Sequence, residues 1–138
     1  MRIGILGGGQ LGRMIALAAY PLDIATRLFD PAPDSCGGQV TELNVGQYDD
    51  SEALERFADG LDAITYEFEN VPVDVVNLLR QYAPVFPSPG SLAVAQDRLV
   101  EKRFFRDHGV PTPDFAPIDG VQDLHEFAAQ SGLPVVLK

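Results

Sequence analysis

Apolar and polar positions run along this chain in two rhythms, and the switches between them mark its elements. Arg2 to Leu6 is a short apolar run that stops at Gly7-Gly8-Gly9, which predicts a strand closed by a tight turn. From Gln10 to Ala19 apolar residues recur at Leu11, Met14, Ile15 and Ala18, the spacing of one helix face. Pro21 closes that helix, and Ile24 to Phe29 predicts a second strand ending at Asp30-Pro31.

The Pro, Asp, Ser and Gly cluster from Pro31 to Gly38 reads as a loop, and Gln39 to Val45 as a third strand. Asp49-Asp50-Ser51, followed by Glu52, Leu54 and Phe57, predicts a capped short helix, and Asp62 to Tyr66 a fourth strand. Asn70-Val71-Pro72 opens another helix with Val75, Val76, Leu78 and Leu79 as its buried stripe, and Ala83 to Phe86 predicts a fifth strand. Strands alternating with helices across short loops predict an α/β fold, a doubly wound parallel sheet with ligands at the carboxyl ends of its strands.

Pro87-Ser88-Pro89-Gly90 breaks this rhythm, so the first domain is expected over residues 1–89. Residues 90–138 begin with a helical stretch from Ser91 to His108. They continue through a turn at Gly109 to Pro113, a short strand near Phe115, a helix from Val121 to Ser131 and a strand from Pro134 to Leu137. This second part is too small to bury its own faces, so the segment is expected to be a piece of a longer protein.

Composition narrows the function classes. The chain has 138 residues, 46% of them hydrophobic and 22% charged, the profile of a folded globular protein. Its net charge is −10, with no cluster of cations, so a nucleic-acid partner is not expected. A phosphorylated small molecule remains compatible, because backbone N–H groups and one or two cations bind phosphate within an acidic protein. Cys36 is the single cysteine, which excludes an internal disulfide and fits a reducing compartment. No leader-like start or membrane-length apolar run is present, so a cytoplasmic location with no membrane partner is expected.

Four sites carry candidate chemistry. Gly7-x-Gly9-x-x-Gly12 lies between a strand and a helix, where glycines permit a tight turn and close approach of a ligand, and the helix start attracts an anion. Taken alone, that pattern with Asp30 about 20 residues on fits a dinucleotide-binding dehydrogenase. Asp30 fits the capping of a loop equally well. Tyr66-Glu67-Phe68-Glu69-Asn70 sits at the end of the fourth strand, where alternation places Glu67 and Glu69 on one side. They read as two acceptors for an amine or for ribose hydroxyls, or as a solvated acidic turn before a helix. Arg98 and Lys102 are four apart on a helix with Asp97 and Glu101, a pair of cations for polyphosphate or an ordinary salt-bridged face. Lys138 ends an apolar strand and either delivers its ammonium to a phosphate or is an exposed terminal lysine.

Taken together, Gly7 to Met14 (GGGQLGRM), Asp30-Pro31, Tyr66 to Val71 (YEFENV), Pro87-Ser88-Pro89, Gln96-Asp97-Arg98 with Lys102, Gly109 to Pro113 (GVPTP) and the closing Val135-Val136-Leu137-Lys138 resemble the N5-carboxyaminoimidazole ribonucleotide synthetases of the ATP-grasp superfamily over the whole chain. The resemblance implies an amino-terminal substrate-binding domain followed by the start of an ATP-grasp domain. It implies a ligase of purine biosynthesis that uses ATP and magnesium to carboxylate 5-aminoimidazole ribonucleotide with bicarbonate through carboxyphosphate. On its matching positions, Gly9, Gln10, Leu11, Gly12 and Glu67 face the ribonucleotide, and Arg98 and Lys138 face ATP. The magnesium ligands and adenine pocket fall beyond Lys138, so residues 1–138 are expected to be inactive alone, and the full-length enzyme is expected to be a homodimer. The formate-dependent glycinamide ribonucleotide transformylases share the first-domain layout, but carry Glu where this chain has Gln10 and lack the Tyr-Glu-Phe-Glu-Asn form. A dehydrogenase reading gives no role to Glu67, Arg98 or Lys138.

Overall fold

The computed structural model describes residues 1–138 and divides them into two compact units, Met1–Ala93 and Val94–Lys138. The first unit is built on a four-stranded parallel sheet in the order β3-β2-β1-β4, with β1 at Arg2–Leu6, β2 at Ala25–Asp30, β3 at Glu42–Val45 and β4 at Ala63–Tyr66. β1 lies in the centre, pairing Leu6 with Phe29 on one side and with Tyr66 on the other. The doubly wound sheet read from the sequence is therefore present. Its expected fifth strand is reduced to a single parallel bridge between Ile64 and Val85, held by Ile64 N–H to Pro84 O and Phe86 N–H to Ile64 O. Pro84 has no N–H and Pro87 follows at once, so the segment cannot extend the ladder.

Alternation along the strands divides the core between two faces. Leu6, Phe29 and Ile64 join α2 (Ser51–Ala58) and α3 (Val73–Leu79) in one cluster that includes Leu54, Phe57, Val75, Val76 and Leu79. Asp50 caps α2 by accepting the N–H of Ala53 at 3.0 Å, as the Asp-Asp-Ser sequence predicts. Leu78, expected in the buried stripe of α3, packs against the cluster while remaining partly exposed.

The helix after the glycine turn, α1 (Gln10–Ala19), meets the sheet differently from the usual amphipathic helix. Its buried residues are Gly12, Ala16 and Ala19, whereas Leu11, Met14, Ile15 and Ala18 all lie exposed. A helix that must approach a sheet closely presents small residues to it, and here the larger apolar stripe is displaced to the outside. Pro21 does not cut the chain sharply; it is absorbed into a 3-10 turn at Tyr20–Leu22 before β2. A second 3-10 turn, Cys36–Gln39, occupies the end of the expected loop, shortening the third strand, and its Gly37 packs under Leu28.

The second unit holds the end of α4 (Pro89–Gln96), α5 (Arg98–Asp107) and α6 (Val121–Ser131). The continuous helix expected from Ser91 to His108 is interrupted at Asp97, whose extended backbone and carboxylate cap α5 through the N–H groups of Leu99 and Val100 at 2.9 and 2.8 Å. α6 has the bounds read from the sequence, with Asp123 accepting the N–H groups of Asp119 and Gly120 at its start. Neither the strand expected near Phe115 nor the one from Pro134 to Leu137 forms. A strand is held by its neighbours, and this unit offers none.

Packing in the first unit is tight enough to test at one atom. A methyl group on Gly4 would collide with Leu61 and with the Phe57 ring. Gly4→Ala is expected to lower unfolding free energy by about 1–3 kcal/mol, the usual range for overpacking. In a Phe57→Leu background, which opens space beside it, the same change should cost less, as urea denaturation of the four proteins of the cycle would measure.

Candidate functional site

The carboxyl ends of β1, β2 and β4 bring three loops together, and two carboxylates decide the chemistry there. The chain leaves β1 through Gly7, whose φ of +104° is open to glycine and whose absent side chain makes room for Glu67. Gly7 N–H donates to Phe29 O at 2.8 Å. Gly12 meets the backbone as closely: a Cβ there would collide with the carbonyl oxygen of Gly7. These contacts fold the first turn of α1 back onto the end of β1.

Glu67, one residue beyond β4, reaches into that turn. Its Oε1 accepts the N–H of Gly9 at 3.2 Å, and its Oε2 accepts the N–H of Gly12 in a close contact. The anion that a helix start attracts is thus supplied by the protein itself. Asp30 is committed in the same way, with one oxygen 2.7 Å from Gly8 N and the other 2.8 Å from Ala32 N. It caps the loop, each oxygen holding one backbone N–H. Glu69 does not share Glu67's position; β4 ends at Tyr66, alternation ends with it, and Glu69 lies exposed in the following turn.

Two first-turn donors are left over. Gln10 and Leu11 are exposed, and their N–H groups have no acceptor in the protein, whereas Arg13 N–H closes the first helical bond to Gly9 O at 2.9 Å. Glu67 still has lone pairs for a donor, because each oxygen takes one N–H and a carboxylate accepts about four hydrogen bonds. A strip of two free N–H donors beside one buttressed acceptor carboxylate suits a ligand that presents both acceptors and N–H or O–H donors. It does not suit a phosphate laid directly on Glu67.

Tyr48 is a participant that the sequence reading missed. Its ring packs against Phe29 with centroids 5.7 Å apart, and its hydroxyl is buried without a hydrogen-bond partner. Burial first, then the negative charges of Asp30 and Glu67, push the phenol well above its ordinary range. No residue pattern announces this; it follows from the chain turning back after β3.

The cations fall in the second unit. Arg98, at the start of α5, forms a close ion pair with Glu101, while Asp97 serves as the cap and not as a salt-bridge partner. Lys102 is partly buried on the same helix, and Lys138 is exposed at the end of a segment that forms no strand. A cleft of about 410 Å³ in this unit is walled by Arg106, Pro113, Phe115 and Phe127 among others, and neither Arg98 nor Lys138 lines it. No group of three or more His, Cys, Asp or Glu side chains is placed to hold a metal ion.

The parallel, doubly wound domain keeps the framework of dinucleotide-binding folds, with its glycine turn closed by its own glutamate. The chain is a member of the ribonucleotide synthetase preATP-grasp domain family, whose model matches residues 1–96. It is 49% identical to the N5-carboxyaminoimidazole ribonucleotide synthase of Pseudomonas aeruginosa over all of its own length and 38% of that protein's. Among solved structures, the N5-carboxyaminoimidazole ribonucleotide synthetase of Thermus thermophilus superposes with a TM-score of 0.86 and 57% identity, covering 96% of this chain and 37% of that one. The N5-carboxyaminoimidazole synthase of Aspergillus clavatus in complex with ADP and 5-aminoimidazole ribonucleotide superposes with a TM-score of 0.82 at 27% identity, covering 96% of this chain and 36% of that one. The chain therefore spans little more than a third of the relatives it matches, and the resemblance to N5-carboxyaminoimidazole ribonucleotide synthetases holds along its whole length.

Tyr48 gives a pH test. The unfolded phenol loses its proton near its ordinary pKa of 10.0 while the folded one still holds it. Above that pH the unfolded state binds fewer protons, so stability falls as pH rises. Tyr48→Phe should remove this alkaline loss and leave stability at pH 7 unchanged or slightly raised, since the lost hydroxyl has no partner. Urea midpoints at pH 7 and pH 10.5 for both proteins would check it.

Proposed function

We propose that this chain is the substrate-binding amino-terminal part, with the first portion of the ATP-grasp domain, of an ATP-dependent ligase that makes N5-carboxyaminoimidazole ribonucleotide in purine biosynthesis. ATP with magnesium supplies phosphoryl transfer to bicarbonate, forming carboxyphosphate and ADP; the amino nitrogen of 5-aminoimidazole ribonucleotide then takes the carboxyl group and phosphate leaves. The observation that carries the reading is Glu67 held against Gly9 and Gly12 beside the free N–H groups of Gln10 and Leu11.

In this reading Glu67 accepts a hydrogen bond from the amine or a ribose hydroxyl, with its carboxylate fixed in advance by two backbone donors. Gln10 and Leu11 donate to oxygen atoms of the same ligand. Gly9 and Gly12 leave the space in which ligand and carboxylate meet. The ribonucleotide's own phosphate lies away from Glu67, because two anions at hydrogen-bond distance repel strongly where water is scarce. Arg98 and Lys138 serve ATP, each reaching the nucleotide once the rest of the ATP-grasp domain is in place. Arg98 then exchanges its surface partner Glu101 for phosphate oxygens, a better match for a guanidinium. Magnesium is held by residues beyond Lys138. At full length the enzyme works in the cytoplasm as a homodimer, without nucleic-acid or membrane partners; no helix here is long and apolar enough to cross a membrane.

Ligand-induced stabilisation of the full-length protein separates this reading from the dehydrogenase one. 5-Aminoimidazole ribonucleotide should raise the melting temperature in proportion to the logarithm of its concentration, and NADH should not. Glu67→Gln should weaken the ribonucleotide at least tenfold, about 1.4 kcal/mol, while leaving ATP binding intact. Stabilisation by NADH alone would overturn the assignment. Residues 1–138 by themselves should release no ADP from ATP in the presence of bicarbonate and the ribonucleotide, and turnover at the full-length rate would contradict the division of the site described above.

A further inference from the structure

Arg98 and Glu101 meet on one face of α5, and the two ends of their ion pair are unequal. They stand three apart on the helix, where side chains are neighbours. The side chain of Arg98 is 56% exposed, that of Glu101 only 18%. Glu101 also lies in the first turn of α5, where the positive end of the helix holds a carboxylate, and its own N–H donates to Asp97 O at 2.9 Å. The acid is therefore the fixed partner, and the guanidinium, on its long exposed stem, is the mobile one.

Neither partner has a substitute on the helix. Asp97, next to Arg98 in sequence, is committed to the cap, its Oδ1 accepting the N–H groups of Leu99 and Val100. The positions of α5 and its cap that share a face with Glu101, three and four residues away, are Asp97, Arg98, Phe104 and Phe105. Lys102 and Arg103 follow Glu101 directly and point elsewhere around the helix. Arg98 is the one cation paired with Glu101. When Arg98 turns to another anion, it leaves a half-buried carboxylate without its counter-charge, and the incoming anion arrives close to that carboxylate.

We propose that Glu101 is a resident competitor for the ATP phosphates: it holds Arg98 when no nucleotide is present and sets the nucleotide affinity by the work of releasing it. This rests on the reading of Arg98 as an ATP ligand and adds the residue that tunes that contact. Two effects oppose the nucleotide, the loss of the ion pair and the repulsion between the freed carboxylate and the phosphate chain. Both act on the triphosphate and on the diphosphate left after transfer, so the carboxylate that weakens substrate binding also speeds release of the product. Binding that changes equally in ground and transition states alters KM and not kcat. The polyphosphate site and the salt-bridged face, which the residues alone leave as alternatives, are then two states of one arginine.

Titration calorimetry of the full-length protein with magnesium and a non-hydrolysable ATP analogue tests this as a double-mutant cycle. Arg98→Met should weaken binding roughly tenfold or more, as expected when a charged partner of a phosphate is removed. Glu101→Gln keeps the size of the side chain and removes its charge. It should tighten binding roughly threefold or more, on the scale of a partly exposed ion pair, lower the KM for ATP by a similar factor and leave kcat no higher. In an Arg98→Met background the same change should alter binding less than about twofold. Should Glu101→Gln fail to fold, Glu101→Ala takes its place in the cycle. Binding unchanged or weakened by the loss of Glu101, while Arg98→Met weakens it, would overturn the competitor and leave Arg98 as an ATP ligand. Equal tightening with and without Arg98 would mean that the charge acts on the phosphates directly, and would also overturn it. If Arg98→Met changes nothing, the ATP role of Arg98 falls and this inference falls with it.

Discussion

The carboxylate of Glu67 ties the end of β4 to the first turn of α1, and the arrangement of the rim at the carboxyl ends of the strands follows from that tie. The two elements are far apart in sequence and are brought side by side only because β1 and β4 are neighbours in the sheet. Two backbone donors on one carboxylate hold the turn against the strand end, and the positive end of the helix favours the negative charge. The glycines complete the fit: at Gly7 a side chain would occupy the space of Glu67, and at Gly12 it would strike the backbone of Gly7. Turn, helix start and acidic strand end are therefore one unit, and a change in any of them disturbs the other two.

The two faces of the sheet are built by opposite means. On the side of α2 and α3, large side chains fill the space, with the Phe29 and Phe57 rings 5.4 Å apart at its centre. On the side of α1, Gly12, Ala16 and Ala19 let the helix sit close. Close approach keeps the first turn of α1 within reach of Glu67, so the small face serves the site as much as the core. At the far edge, Arg27 locks β2 to neighbouring chain segments, donating to the carbonyl oxygens of Phe57 and Asp59 and pairing with Glu42 at 3.0 Å. That clamp lies in the middle of β2, three residues before Asp30.

Much of this was legible in the residues. The four strands, the cap of α2 at Asp50 and the limits of α6 follow from local patterning, because turn and cap residues act within a few positions of themselves. What failed depended on partners distant in the chain. Periodicity picked out the row from Leu11 to Ala18 but could not say which side faced the sheet; the competing row of small residues, Gly12, Ala16 and Ala19, was the available signal. Asp97 was read as part of a helix when its preference for capping made it a boundary. Pro134 to Leu137 has the composition of a strand and no neighbour to pair with. In the site, the sequence points to Glu67 and to the glycine turn as separate features; their bond to each other depends on the pairing of β1 with β4, and Tyr48 carries no sequence signal.

Glycine spacing of this kind is shared with proteins that capture pyrophosphate, and cells are full of dinucleotides. Here the donors that such a ligand would seek are already engaged: Gly8 by Asp30, Gly9 and Gly12 by Glu67. An approaching diphosphate would meet the carboxylates of Asp30 and Glu67 at these three positions, with only the N–H groups of Gln10 and Leu11 left open. The cradle is filled from within: a side chain of the same domain takes the place that a bound anion holds at other glycine turns.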